Sequence, residues 1–190
     1  MPKDIIGSIC ELLKTEELAE LGPGPRPGVS SEADLNRRLA QILSGAELAE
    51  SNLQLLRALV LLWHDHLDAA HQIAQDVSGA DGAFVHGIMH RREPDYGNAG
   101  YWFRRVGKHP SFPAIANGIA ALAQERKQDA GRLVPNGQWD PFAFIDACEE
   151  VARASAPQPR RDFLRGAQKV ETVALIEYLA TKKADDEESS

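Results

Sequence analysis

Cysteine and long apolar runs are scarce in this chain of 190 residues, and each shortage excludes a class of protein. The two cysteines, Cys10 and Cys148, lie inside amphipathic patterns rather than at a motif spacing, which excludes a disulfide framework and fits a reducing compartment. The longest apolar run, Ala58 to Trp63, is far too short to span a bilayer. The opening Met1-Pro-Lys-Asp does not resemble a signal peptide. We therefore expect a soluble, cytoplasmic protein with no membrane partner.

A basic surplus is also missing, as are the motifs of nucleotide and haem sites. The formal net charge is −7, which argues against a nucleic-acid partner because such proteins need a basic face. No glycine-rich nucleotide loop, reactive-cysteine motif or haem motif occurs. If the chain is an enzyme, these absences favour hydrolysis or lyase chemistry over redox chemistry.

Hydrophobic residues make up 43% of the chain and repeat at helical spacing. They never alternate over a useful length, so we predict an all-α fold of seven to nine helices in one domain over residues 1–181. The first helix is predicted over residues 3–20, and the proline- and glycine-rich segment 22–28 predicts a loop. The charged residues 182–190 predict a disordered acidic tail.

The longest predicted helix covers residues 51–77 and is expected at the centre of the bundle. Ser51 and Gln54 form a capping-box pattern at its start. Asp65 falls on its solvent face. Beside the core stripe runs a second, polar stripe at the spacing i, i+4, i+7 and i+11, which points into a groove. Its members are His64, Asp68, His71 and Gln75.

A second histidine pair follows on a predicted short helix over about 82–92. His86 and His90 are four residues apart, and Glu93 lies one turn further on. Because the intervening turn is short, the two helices could be antiparallel neighbours whose polar side chains converge. Imidazole and carboxylate ligands suit zinc, iron, manganese or nickel. The candidate metal ligands are His64, His71, His86, His90 and Glu93.

Two other interpretations of the histidines stay open. The pattern is not a zincin motif, because Gly87 stands where the glutamate belongs, and it lacks the Glu-x-x-His pairs of di-iron bundles. The first alternative is metal-free acid–base chemistry with His64, Asp68 and His71 as catalytic residues, in which Asp68 fixes a histidine tautomer. The second is a structural role, in which the histidines are hydrogen-bonded packing residues.

Basic residues are concentrated in the segment 90–109, which holds five of them against two acidic ones. Paired guanidinium groups grip carboxylates or phosphates, so this segment suggests an anionic ligand. The candidate substrate-binding residues are Arg91, Arg92, Tyr101, Arg104 and Arg105. The alternative is an internal ion-pair network, and we expect at least two of these arginines to be buried and paired. Glu171, on a largely apolar helix face, needs such a partner.

Several of these segments together resemble an uncharacterised family of bacterial and fungal proteins. The likeness is carried by Trp63-His-Asp-His-Leu-Asp-Ala-Ala-His71, by His86-Gly-Ile-Met-His-Arg-Arg-Glu-Pro-Asp95 and by Asn98-Ala-Gly-Tyr-Trp-Phe-Arg-Arg-Val-Gly-Lys-His-Pro110. It spans about half the chain. The resemblance groups these segments into one unit and implies no activity.

The sequence therefore predicts a small-molecule enzyme of hydrolase or lyase type. The substrate would be an anionic small molecule in a groove lined by histidine, aspartate and arginine, with a divalent metal as a possible cofactor. The rival hypothesis is a non-catalytic ligand-binding or interaction protein that uses the same groove. A homo-oligomer is compatible with either hypothesis.

Overall fold

The computed structural model describes residues 4–154 and 157–182. Over this part the chain forms nine α-helices and a short 3-10 helix with no strand, which confirms the all-α prediction. None of these helices is long and apolar enough to cross a membrane. The helices are α1 (Ile5–Leu12), α2 (Glu32–Leu43), α3 (Glu50–Trp63), α4 (Leu67–Ala74), α5 (Gly79–Arg92), α6 (Tyr96–Val106), α7 (Phe112–Arg126), α8 (Pro141–Arg153) and α9 (Gln158–Thr181), with the 3-10 helix at Pro135–Gly137.

Helices α3 and α9 form the centre of the bundle. α3 packs against α2, α4, α5 and α9, and its second half from Ala58 to Trp63 is buried throughout. α9, the longest helix, also contacts α1, α7 and α8. Burying nearly every side chain of a helix requires neighbours on all its sides, which explains the continuous apolar run in α3.

The predicted helix over residues 51–77 is wrong as a single element, because it breaks at residues 64–66. Asp65 adopts a left-handed backbone with φ of 67°. Its N–H donates to the carbonyl of Leu62 at 3.1 Å, and the N–H of His66 donates to the carbonyl of Leu61 at 2.9 Å. This is the Schellman arrangement that ends many helices, here with aspartate where glycine is commoner. α4 then starts in a new direction.

Two arginines hold the carboxylate of Asp65 at this break, so the residue is not on a solvent face. Arg26 donates from Nη1 to Oδ1 at 2.5 Å and from its backbone N–H to Oδ2 at 2.9 Å, and Nη2 of Arg92 lies 2.6 Å from Oδ1. The same guanidinium groups bond to the carbonyls of Trp63 and Leu62. They therefore give additional hydrogen bonds to the last carbonyl groups of α3, where a helix runs out of N–H donors.

The loop that carries Arg26 can reach Asp65 because of a glycine. Gly24 has φ of +83°, and a Cβ atom there would lie 2.7 Å from the carboxyl carbon of Asp65. Only a residue without a side chain allows this approach with that backbone conformation.

Helix starts and ends follow the sequence signals in part. Ser31 caps α2 and Asp140 caps α8 as predicted, with side-chain oxygens accepting backbone N–H bonds. The Ser51–Gln54 capping box is wrong, because α3 begins at Glu50 without a side-chain cap. α1 ends at Leu12 rather than near residue 20. Arg165 and Gln168 of α9 donate to the carbonyls of residues 18–20, which replaces helical hydrogen bonds there.

The predicted acidic tail over residues 182–190 has only its first residue in the described part of the chain. Lys182 contacts the body of the protein, with its Nζ 3.1 Å from Oδ2 of Asp81. Residues 183–190, on which the rest of this prediction falls, lie outside the described residues.

The first testable prediction concerns the break after α3. Asp65→Asn removes the negative charge between two buried guanidinium groups, and we expect it to lower the free energy of unfolding by about 3–5 kcal/mol. Urea denaturation monitored by circular dichroism measures the change. The matched control is Asp68→Asn, three residues later and exposed, which should change stability by less than about 0.5 kcal/mol. Equal midpoints for both variants would contradict the assignment.

Candidate functional site

Three histidines meet where α4 packs on α5. The ring centroid of His71 lies 5.5 Å from that of His86 and 5.5 Å from that of His90, and the last two centroids are 6.1 Å apart. His71 comes from α4, and the other two lie one turn apart on α5. We call these three residues the histidine cluster. The expected convergence across the short α4–α5 turn thus occurs for three of the four predicted histidines.

An aromatic wall covers one side of the histidine cluster. Gly87 lets α6 approach α5 closely, since a Cβ atom there would lie 2.6 Å from the ring of Phe103. The neighbouring Trp102 then stacks on His86, with ring centroids 4.0 Å apart and planes inclined by 13°. Gly87, whose position rules out a zincin motif, therefore also allows Trp102 to pack on the histidine cluster.

Hydrogen bonds orient two of the three rings. Nδ1 of His86 lies 3.2 Å from the carbonyl of Gly82, to which it donates, and this leaves Nε2 without a hydrogen-bond partner among the described residues. Nδ1 of His90 lies 3.1 Å from Oε2 of Glu93. His71 makes ring contacts but no hydrogen bond within the described part of the chain. The cluster therefore offers one unengaged, unprotonated nitrogen on an orientated ring, Nε2 of His86.

Burial favours the neutral form of two rings of the cluster, His86 and His90. It lowers the pKa of His86 below its usual 6.5, and the neighbouring His71 and His90 lower it further. The pKa of His90 is lowered for the same reason, although Glu93 opposes the shift. The neutral form has a lone pair that can accept a proton. On His86 this lone pair, at Nε2, has no partner among the described residues, whereas Nε2 of His90 lies 3.2 Å from Nδ2 of Asn98.

The structure does not bring His64 to the cluster. Nε2 of His64 lies 2.8 Å from the carbonyl of Leu12 and Nδ1 accepts the backbone N–H of Ser30 at 3.1 Å, so both ring nitrogens are occupied. Burial lowers its pKa as well. His64 ties α1 and the following loop to the end of α3, and it has no nitrogen free for a substrate or a metal.

Asp68 is not placed to fix a histidine tautomer. Its side chain is exposed and makes no hydrogen bond or ion pair with the described residues. It lines an open cavity of about 580 Å³ together with Glu93, Asp95 and the Pro23–Pro25 segment. The carboxylate that does orient a ring of the cluster is Glu93, which the sequence suggested as a metal ligand.

Two of the predicted substrate-binding arginines are internal ion-pair partners. Arg91 and Glu171 form a two-pronged pair with both side chains fully buried, and Nη1 lies 3.0 Å from Oε1. Arg91 also stacks on Phe144 at 4.2 Å. Arg92 is held by Asp65, as described above. The expectation of at least two buried and paired arginines is confirmed, and neither Arg91 nor Arg92 is free to bind a substrate.

The other predicted substrate-binding residues are exposed on α6. Tyr101 is 47% exposed, and the guanidinium of Arg105 lies 5.8 Å from its ring and 5.6 Å from that of Trp102. Within the described residues neither Arg104 nor Arg105 has a carboxylate partner. The guanidinium of Arg105 lies beside the ring of Trp102, and Trp102 in turn stacks on His86 of the histidine cluster.

A chain of hydrogen bonds elsewhere in the molecule escaped sequence reasoning. Nε2 of His109 lies 2.8 Å from Oδ1 of Asp81, and its Nδ1 lies 2.8 Å from Oγ of Ser111. The order resembles a catalytic triad, but His109 and Ser111 are buried and the backbone N–H of Ser111 also donates to the ring. The pKa of Asp81 is lowered despite burial because His109 and Lys182 bond to it. This chain connects the start of α5 to the start of α7.

The candidate site thus consists of the histidine cluster, the Trp102 wall and the exposed guanidinium of Arg105. In the rotamers of this structure, no three histidine, cysteine, aspartate or glutamate side chains in the described ranges are arranged to hold a metal ion. Comparison with family models, curated proteins and solved structures finds no match.

The second prediction separates structural from surface arginines. Arg91→Ala strands the buried carboxylate of Glu171 and should lower the free energy of unfolding by about 3–5 kcal/mol. Arg105→Ala, at an exposed position on α6, should leave the melting temperature within about a degree or two of the parent. Thermal denaturation of both variants checks this. An Arg91→Ala protein as stable as the parent would show that the pair contributes nothing.

The third prediction is a pH dependence of stability. His64, His86 and His90 have folded-state pKa values below the 6.5 of an unperturbed histidine. Below pH 6.5 the unfolded chain therefore binds more protons than the folded one. The contribution of these histidines to the free energy of unfolding is complete above pH 6.5 and decreases as the pH drops below it. Urea denaturation at pH 7.5 and 5.5 should give a lower free energy at pH 5.5, and His86→Gln should reduce the difference. A parent protein equally stable at both pH values would contradict the shifts.

Proposed function

We propose that the histidine cluster is a general acid–base site for reactions of hydrolase or lyase type on a small anionic molecule. One observation carries the proposal: three imidazoles from two helices lie together, and the pKa values of two of them are lowered by burial. A general base must be unprotonated at the working pH, and it works best when its pKa lies near that pH. Isolated packing histidines do not need to gather in this way.

His86 is the group best prepared to act as the base. Its Nδ1 is committed to the carbonyl of Gly82, so Nε2 carries the lone pair that accepts a proton. Glu93 orients His90 and opposes, without reversing, the lowering of its pKa, so His90 can donate a proton once it has taken one up. His71 is the remaining imidazole and completes a set that can hold and pass on a proton.

Arg105 is the group best placed to attract the anion. It lacks a carboxylate partner in the described part of the chain, and it lies over the aromatic pair Tyr101 and Trp102 next to His86. Arg104 adds a second exposed positive charge on the same helix. An arginine against aromatic faces is held in place without being neutralised, and this leaves its N–H groups available to a carboxylate or phosphate.

We also propose that the protein is cytoplasmic, because free thiols are typical of a reducing compartment. Both cysteines, Cys10 and Cys148, are free thiols in the structure. Burial raises the pKa of Cys148 to about 12, so this thiol is unreactive and takes no part in the chemistry.

The fourth prediction tests the activity. The full chain is assayed against phosphate esters, carboxylate esters and hydroxy acids that can lose water, and the best substrate is then used with variants. His86→Gln should lower kcat/KM by about 10²–10⁴-fold, which is the usual contribution of a general base. Because the pKa of His86 is lowered, the rate of the parent should hold down to pH 6.5 and fall only below it.

The control is His66→Gln, a half-buried histidine outside the cluster whose Nε2 bonds to the carbonyl of Ser30. It should keep the activity of the parent. Equal losses in both variants would contradict a base at His86. Binding of these anions by calorimetry without turnover would favour the rival hypothesis, a non-catalytic ligand-binding protein.

A further inference from the structure

We propose that a cavity at the start of α8 binds a small aromatic carboxylate. The cavity has a volume of about 550 Å³ and lies where the segment after α6 meets the first turns of α7 and α8. A volume of this size suits a small organic molecule. No residue of the histidine cluster lines it, so this binding site goes beyond the proposed function and does not depend on it.

The walls of the cavity are apolar and rigid. Their apolar members are Phe112, Pro113, Pro135, Trp139, Pro141 and Phe142. The three prolines stand in the first turns of α7, of the 3-10 helix and of α8. Proline has a fixed φ and no N–H group, so these positions offer an organic ring a preformed surface without a backbone donor to desolvate.

Phe142 adds an exposed aromatic surface to these walls. It is 40% exposed, and with Tyr101 it is one of two large hydrophobic residues that are exposed in the described part of the chain. A single exposed phenylalanine is ordinary by itself. Beside a concave apolar wall, however, it extends the surface that an aromatic ligand can cover, and this favours binding through the hydrophobic effect.

Trp139 adds a hydrogen-bond donor that no described residue uses. The residue is 5% exposed, and its Nε1–H has no acceptor in the described part of the chain. Buried donors are nearly always paired, because an unpaired one costs free energy. In the proposal this N–H donates to an oxygen atom of the ligand. Nε1 of Trp63 is also unpaired, but the cavity that Trp63 lines measures only about 10 Å³ and has no room for a ligand.

The charges at this cavity favour an anionic ligand over a cationic one. Lys108 is exposed, lines the cavity and has no ion-pair partner among the described residues. The carboxylate of Asp140 also lines the cavity, but its Oδ1 accepts the backbone N–H groups of Phe142 and Ala143 at 2.9 and 3.1 Å. The start of α8 therefore stabilises this negative charge. Lys108 and the indole N–H are both donors, and a carboxylate supplies the acceptors that they need.

Calorimetric titration of the full chain with naphthalene carboxylate and with the neutral naphthalene carboxamide tests the proposal. The parent should bind one carboxylate per chain, more tightly than the carboxamide. Phe142→Ala should weaken the binding of both compounds by roughly tenfold, because both lose apolar contact. Lys108→Gln should weaken the binding of the carboxylate by about 2–5-fold and leave that of the carboxamide unchanged.

The indole donor is tested by Trp139→Phe, which keeps an aromatic ring and removes the N–H. It should weaken the binding of both compounds by about 2–10-fold, because both have a carbonyl oxygen as acceptor. The matched control is Trp63→Phe, which removes an unpaired N–H elsewhere and should bind both compounds like the parent. Circular dichroism shows whether each variant is folded. If a tryptophan variant is not, the variants at the exposed positions Phe142 and Lys108 decide the question.

The proposal is overturned if the folded parent binds no carboxylate, or if Phe142→Ala and Lys108→Gln both bind it like the parent. It is also overturned if Arg105→Ala, beside the histidine cluster, loses the carboxylate while Phe142→Ala keeps it, because the anion then binds at the other site. Failure here leaves the acid–base proposal standing, since the activity of the parent and of His86→Gln is measured separately.

Discussion

The carboxylate of Asp65, held between the guanidinium groups of Arg26 and Arg92, decides the course of the chain at the centre of the molecule. It stabilises a left-handed residue in the middle of an apolar helical pattern, and the two arginines give additional hydrogen bonds to the last carbonyl groups of α3. A buried carboxylate with two cations is costly to desolvate unless every donor finds an acceptor, and here the donors do so. The direction of α4 depends on this arrangement.

The positive charge of residues 90–109 divides into an internal and an external part. Arg91 and Arg92 carry the ion pairs that join α5 to α9 and to the end of α3. Arg104 and Arg105, one helix later, stay exposed beside the aromatic wall. The local surplus of arginine therefore has two parts in this protein. Arg91 and Arg92 are structural ion-pair partners, and Arg104 and Arg105 are exposed to a possible anionic ligand.

The histidines divide in a similar way. Both ring nitrogens of His64 and of His109 form hydrogen bonds with other residues, and these bonds hold loops to helices. In the cluster on α4 and α5, Nε2 of His86 has no hydrogen-bond partner among the described residues, and burial lowers the pKa of His86 and of His90. An unprotonated nitrogen on an orientated ring is what a general base needs, and for this reason the cluster, rather than His64 or His109, is the candidate site.

The sequence by itself determined the all-α class, the caps at Ser31 and Asp140, and the pairing of His86 with His90, because helical periodicity and local hydrogen bonds are properties of neighbouring residues. It also predicted that Glu171 needs an arginine. It did not reveal the break at Asp65, since no glycine or proline marks it and the stabilising arginines lie 39 and 27 residues away. That break removed His64 from the stripe it shared with His71. Only tertiary contacts between distant segments, which outweigh the local helical preference, decided which histidines form the site.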